Sequence, residues 1–254
     1  MAGWQAQLAA LQEGGPWFDP WRDIGAQVAA EVQAGAGLHE ALNLHAAASV
    51  RFAPAQELPR GMAYERYVHE TTRCPTRDNL HDFFNGLCWG QLPKAKKKLN
   101  ELQAMQIARA GVGDARGPVR DAITVFDENG AVLHAPPELW AALAGRQWRR
   151  LFVDLRPLWR QARLIVFGHA LLEKLVQPRK DIAAHVWRGD CPAGSMVEVD
   201  AWLAGEFTAE RLAAKPFAPL PVLGIPGWAA ENENLSFYDD SLVFRPPGRR
   251  TPST

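Results

Sequence analysis

Ala122-Ile123-Thr124-Val125-Phe126-Asp127-Glu128-Asn129-Gly130-Ala131-Val132-Leu133 is the stretch on which the fold class turns. β-Branched and aromatic residues lead into Asp127-Glu128-Asn129-Gly130, and Ala131 to Leu133 resume the apolar run. Asn-Gly is the dipeptide that most readily adopts the two positive φ angles of a tight hairpin turn, so the segment reads as an antiparallel β-hairpin. An acidic turn can bind a cation, but turn chemistry is the simpler account of its composition. Around this β signal the other periodic segments are mostly helical. The expected fold is therefore α+β and mostly α-helical. A single globular domain over residues 1–246 would carry a small antiparallel hairpin or sheet, and residues 247–254 would form a disordered basic tail.

On the N-terminal side of that stretch, Gly111 to Gly117 reads as a loop. Pro93 opens a helix over about Lys94 to Ala110, with Leu99, Leu102 and Met105 as its apolar row. Cys74-Pro75 breaks the chain, and Thr76 is a good N-cap for the helix that follows. Helical pieces are expected at Met1 to Gln12, Ile24 to Val32, Leu38 to Val50 and from about Tyr64 to Thr72, with an irregular connection bracketed by Pro54 and Pro59. On the C-terminal side, helices are expected at Pro137 to Ala144, around Trp148 to Phe152, at His169 to Val176, around Val199 to Leu203 and at Ala209 to Ala213. Arg163 to Phe167 fits either a short buried strand or a helix end. Pro216 to Trp228 is proline-rich and irregular.

Composition narrows the function classes. Basic and acidic residues balance at 28 each, which argues against general nucleic-acid binding. The apolar runs, such as Leu164 to Phe167, are far too short to span a bilayer, and no signal peptide is evident at the N-terminus. Cys74, Cys88 and Cys191 show no paired spacing and fit reduced thiols, so the expected location is cytoplasmic. Composition leaves the oligomeric state open.

Chemistry concentrates in Thr76-Arg77-Asp78-Asn79-Leu80-His81-Asp82-Phe83-Phe84-Asn85, with Trp89 just beyond. At ~100° per residue, Leu80, Phe83, Phe84 and Leu87 fall on one side of a helix. Asp78, His81, Asp82, Asn85 and Trp89 fall on the other. A solvent face would carry Lys, Glu and Gln; this one carries short groups that coordinate, hydrogen-bond or exchange protons. His81 is a candidate acid, base or metal ligand, Asp82 its orienter or a cation ligand, and Asn85 a donor to an oxyanion. The alternative is a structural polar face, with Asp78 stabilising the helix N-terminus.

A second constellation is Phe167-Gly168-His169-Ala170-Leu171-Leu172-Glu173-Lys174. On a helix His169 and Glu173 sit at i and i+4, where they can share a metal or the carboxylate can fix the imidazole tautomer. Gly168 permits close backbone approach just before the helix begins. Lys94, Lys96, Lys97 and Lys98 oppose the dipole of their helix unless an anion binds there; a solvated cluster is the simpler reading. Gly224-Ile225-Pro226-Gly227-Trp228 is a rigid aromatic loop, either a pocket wall or core packing. The nucleophile elbow, phosphate-binding loop, dinucleotide fingerprint, H-E-x-x-H and EF-hand patterns are all missing, and Cys88 falls on the apolar side of its helix.

Five blocks together resemble a bacterial family known as domain of unknown function 3025. They are Pro75 to Asn85, Phe126 to Gly130, Phe167 to Leu171, Leu223 to Trp228 and Phe237-Tyr238-Asp239-Asp240. The resemblance runs from about Trp17 to Pro246. It implies a bacterial, single-domain protein, and it carries no activity or cofactor.

Two functions follow from the residues. In the first the protein is a hydrolase acting on a small polar or phosphorylated, anionic ligand. His81, Asp82, Asn85, His169 and Glu173 form the catalytic set, and Arg77, Trp89, Lys94 and Trp228 contact substrate. Asp82, His169 and Glu173 hold a divalent metal, the one cofactor the pattern implies. The first function requires the helices bearing His81 and His169 to meet. In the second, the polar cluster is a structural network in a non-catalytic binding module.

Overall fold

The structure, a computed structural model, describes residues 3–110, 117–190 and 194–246. Cys191, residues 111–116 of the expected loop and the expected tail 247–254 lie outside the described residues. The N-terminal half comprises α1 (Ala9–Glu13), α2 (Arg22–Gln33), α3 (Leu38–His45), β1 (Arg51–Pro54), α4 (Tyr64–Thr71), β2 (Arg73–Thr76), α5 (Leu80–Gln91) and α6 (Pro93–Ala110). Then follow α7 (Pro118–Asn129), β3 (Gly130–His134), α8 (Pro137–Ala144), β4 (Arg163–Val166), α9 (His169–Lys174), β5 (Ala183–Arg188), α10 (Met196–Glu206), α11 (Ala209–Ala213) and β6 (Ala218–Pro221). With 61% of the described residues in helix and 12% in strand, the fold is mostly helical α+β. Among the described residues no helix is long and apolar enough to cross a membrane.

The hairpin expected at Ala122 to Leu133 is not formed. Residues Pro118–Asn129 are helical, and only the part from Gly130 onward is strand. Burial overrides local preference here. Ala122, Ile123 and Phe126 are buried at i, i+1 and i+4, a helical stripe, and the Phe126 ring packs among Phe167, Trp187, Phe207 and Phe217. Pro118 sits in the first turn, where its missing N–H costs nothing. The Gly130 N–H closes the helix on the Phe126 carbonyl.

β3 lies inside a four-stranded sheet of order β4-β3-β5-β6. It pairs antiparallel with β4, Ala131 opposite Val166, and parallel with β5, Ala131 opposite Val186. A strand flanked on both edges reads as a continuous apolar run, as Gly130 to Leu133 does. Arg163 to Phe167 is thus resolved as strand. β5 and β6 pair antiparallel inside stretches whose composition gave no strand signal. β1 and β2 form a separate two-stranded parallel sheet, where the sequence suggested an irregular connection and a break.

The first part of the core is organised by α5. Its N-cap is Asn79, not Thr76: the Asn79 side chain accepts the Asp82 N–H at 2.7 Å, while Thr76 belongs to β2. Leu80, Phe83, Phe84, Leu87 and Cys88 are all buried. At Gly86 a Cβ would lie 2.4 Å from a Leu42 methyl, so α3 crosses α5 at a distance only glycine permits. Packing of the apolar face fixes the helix, and its opposite face is turned toward α6, α7 and α9.

Candidate functional site

Two helix starts and one helix end build the site. A Cβ on Gly168 would lie 2.4 Å from the Glu128 carbonyl oxygen and 2.6 Å from the Asn129 nitrogen. Glycine therefore lets the start of α9 abut the last turn of α7. His169, the first residue of α9, comes to rest beside Asp127 and Glu128. From α5, His81 reaches across to it: the two Nε2 atoms are 3.0 Å apart, with ring centroids at 4.5 Å and planes at 78°.

Each imidazole turns its other nitrogen toward a carboxylate. His81 Nδ1 lies 2.9 Å from Glu173 Oε2. His169 Nδ1 lies 3.7 Å from Asp127 Oδ2, too far for a hydrogen bond, and is buried without a partner. Glu128 Oε2 is 3.7 Å from His169 Nε2. One ligand atom from each of His81, Glu128 and His169 lies within 4.8 Å of the others.

Burial pulls the His169 pKa down to about 3, against the opposing field of Asp127. Its imidazole is neutral at physiological pH. Burial pushes Glu128 above the ordinary carboxylate range. Burial also raises Asp127, yet Lys96 and then His169 outweigh it and the net shift is downward.

The two rings constrain where their protons can sit. With Nδ1–H donated to Glu173 and no proton on Nε2, His81 presents a lone pair to His169. If His169 carries its proton on Nδ1, two lone pairs face each other at 3.0 Å. If it carries the proton on Nε2, that N–H donates to His81 Nε2, and the Nδ1 lone pair is left toward Asp127 at 3.7 Å, beyond hydrogen-bond reach. The first tautomer sets acceptor against acceptor, an arrangement that a cation between the rings would satisfy; the second satisfies the 3.0 Å contact by itself.

Beside the histidines runs a polar strip. Lys96, only 4% exposed, donates to Asp127 at 2.5 Å and to Asn85 at 2.9 Å, and it lies 5.5 Å from the centre of the Trp89 ring. Asn85 donates to the Tyr64 hydroxyl at 3.3 Å, and that hydroxyl is 3.0 Å from the Cys74 sulfur. Burial raises Tyr64 well above its ordinary value and lifts Cys74 to about 11, so both stay protonated. A cavity of about 460 Å³ opens over the strip and the histidines.

Of the residues expected from sequence, His81, Asp82, Asn85, His169, Arg77 and Trp89 line this cavity, and Glu173 backs His81. Asp82 does not face the histidines. Both its oxygens accept from Arg77, at 2.8 and 3.0 Å from the guanidinium and 2.7 Å from the backbone N–H. Among the described residues, the His/Cys/Asp/Glu group whose ligand atoms lie close enough to share a cation is His81, His169 and Glu128; Asp82 is turned to Arg77 and Glu173 to His81.

Lys94 and Trp228 lie off the cavity. Lys94 is exposed, and the anion at its helix start is Asp200, which accepts the N–H groups of Lys94 and Ala95 at 3.1 and 2.8 Å. Trp228 lines a different cleft with Trp17 and Phe237. Asp78 accepts from the Leu38 N–H of α3.

Sequence reasoning missed Asp127 and Glu128 as site residues because it placed them in a turn. It missed Lys96 because it read the lysine run as solvated. The signal for Lys96 was present in its spacing. Lys96, Leu99, Asn100 and Gln103 follow the i, i+3, i+4, i+7 rule and all face the cavity.

Fold and site together define a mostly helical α+β protein whose paired histidines, flanked by carboxylates, open on a polar cavity. The chain belongs to the DUF3025 family, described as proteins of unknown function, whose model matches residues 50–249. No curated protein and no solved structure matches the chain. Every residue of the site, from Tyr64 to Glu173, falls inside the matched region.

Proposed function

We propose that the protein is a metal-dependent hydrolase of small polar substrates, in which His81, His169 and Glu128 hold one divalent ion. The observation that carries this is the 3.0 Å approach of the two Nε2 atoms, each on a ring whose other nitrogen faces a carboxylate. Nitrogen ligands at about 2.05 Å in a tetrahedral site lie about 3.3 Å apart, so the rings need to part by only about 0.3 Å. Glu173 and Asp127 then take the position of the outer carboxylates that orient metal-bound histidines. Two nitrogens and one oxygen leave a fourth position open toward the cavity. A divalent ion held by these residues would lower the pKa of bound water and so supply a nucleophile for hydrolysis of an ester or amide.

Two of the Lys96 protons are committed to Asp127 and Asn85; the third supplies a donor for the developing oxyanion. A phosphorylated substrate is less well served. Arg77 is paired with Asp82 and Lys96 with Asp127, so neither brings uncompensated positive charge.

The non-catalytic alternative draws support from the partly buried chain Cys74–Tyr64–Asn85–Lys96–Asp127, which has the continuity of a structural network. Elemental analysis separates the two. Protein purified without a histidine tag or chelator should contain near-stoichiometric zinc, manganese or iron, and His81→Ala should lose it along with ester or amide turnover. Metal-free wild-type protein, with His81→Ala destabilised by about 1–3 kcal/mol through unpaired buried groups, would favour the network.

A further inference from the structure

Resting on the metal reading above, we infer that the substrate carries an ammonium or similar cationic nitrogen at the end remote from its scissile group, and that Glu65 recognises it. α6 acts as a ruler along the cavity wall. Lys96, beside the histidine cluster, and Gln103 both line the cavity. Seven residues at 1.5 Å rise put them about 10 Å apart along the helix axis. Leu99 lies between them, with Leu58 and Ile123 also on the wall, so the middle of the cavity is partly apolar.

The far end is rich in acceptors. Gln103, itself buried, donates its amide N–H to Glu65 Oε1 at 2.8 Å, and Asn100 donates to the Glu65 carbonyl at 2.8 Å. Each of those NH2 groups has one N–H so engaged, and the amide oxygens of Gln103 and Asn100 add acceptors beside the Glu65 carboxylate. Glu65 Oε2 has no hydrogen-bond partner among the described residues.

Charge counting points the same way. The carboxylates lining the cavity are Glu65, Asp82, Asp127 and Glu128, and the cations are Arg77 and Lys96. Arg77 balances Asp82 and Lys96 balances Asp127. A metal ion would engage Glu128, and among the described residues Glu65 has no ion-pair partner. A group with several donors and no acceptor, an alkylammonium above all, matches that end; a carboxylate or phosphate is repelled.

The test uses zinc-loaded protein and hydroxamates, which bind metals through their head group. Three tails are compared by calorimetry: ω-ammonium, plain alkyl and ω-carboxylate, each with about four to seven methylenes to cover the roughly 10 Å span. The ammonium series should bind about tenfold more tightly than the alkyl series at its best length, as expected for a charge-assisted contact, with the carboxylate series weakest. Glu65→Gln, which keeps the bond from Gln103, should erase that preference. Equal affinity for all tails, or a preference that Glu65→Gln leaves intact, would overturn the inference while the metal reading stands. Zinc-loaded protein that binds none of the hydroxamates would overturn both. The comparison of tails on wild-type protein holds even if the variant folds poorly.

Discussion

The molecule contains the same chemical trio twice. At the histidine cavity, Lys96 is held by Asp127 at 2.5 Å and lies over the Trp89 ring. At a second cleft of about 400 Å³, walled by Trp17, Trp228 and Phe237, Lys180 is held by Asp240 at 3.1 Å and lies 4.3 Å from the Phe237 ring centre. Water access sets them apart. The Lys96 side chain is 4% exposed and the Lys180 side chain 31%. A lysine sealed from solvent must find its partners in the protein, and Lys96 does so in Asp127 and Asn85, tying α5, α6 and α7 together. A lysine at the edge of an aromatic cleft can exchange its aspartate for water at little cost. The same pairing of lysine, aspartate and an aromatic ring thus forms an organising element in one place and a surface contact in the other.

Removing each lysine exposes the difference at its largest. Lys96→Met keeps the bulk of the side chain but leaves Asp127 without its cation beside a neutral His169. Breaking a buried pair costs about 3–5 kcal/mol, and the partial exposure of Asp127 places this one near the lower end. Lys180→Met should leave stability within the error of a urea titration. Similar losses in the two variants would break the comparison.

A smaller effect is expected one contact further out. Glu173→Gln weakens the hold on His81 without touching a proposed ligand atom. Metal affinity, measured by competition with a chromophoric chelator, should fall about 10- to 100-fold, while Lys180→Met should leave it unchanged. Unaltered affinity in Glu173→Gln would mean that His81 needs no carboxylate behind it.

How far the sequence reveals this site depends on which contacts are local. The split of α5 into Leu80, Phe83, Phe84 and Leu87 against His81, Asn85 and Trp89 follows from one helical period; the same period also puts Asp78 and Asp82 on the polar arc, but Asp78 precedes the helix and binds the Leu38 N–H, and Asp82 turns to Arg77. The mostly helical α+β class is equally legible. Contacts between elements are not. His169 and Glu173 share a helical face, yet the carboxylate bonds the histidine of another helix. Ile123-Thr124-Val125 prefers strand, and only the ring cluster around Phe126 makes that segment helical and carries Asp127 and Glu128 to the cavity floor. Lys96 is one lysine among four; its spacing with Leu99, Asn100 and Gln103 puts it on one face of α6, but what that face meets is set only when α4, α5 and α7 close over it.

The gentlest probe of the comparison is the titration of Asp240. Lys180 donates to it, and backbone N–H groups of Leu242 and Val243 add to the effect, so its pKa lies below the ordinary aspartate value. The sign follows from linkage. A carboxylate whose folded pKa is depressed contributes stability above its unfolded pKa, and that contribution is lost as pH falls through the folded value. Because the site is open to water, salt screens the lysine: the Debye length shrinks to about 3 Å at 1 M. Side-chain carboxyl resonances followed by NMR should show Asp240 titrating closer to its ordinary value in 1 M NaCl, and closer again in Lys180→Met. A residual depression from the backbone donors should persist, since screening and removal of Lys180 leave their hydrogen bonds in place. If Asp240 titrates identically in wild-type and variant protein, those backbone donors alone hold it, and the second trio is a coincidence of neighbours rather than a weak copy of the first.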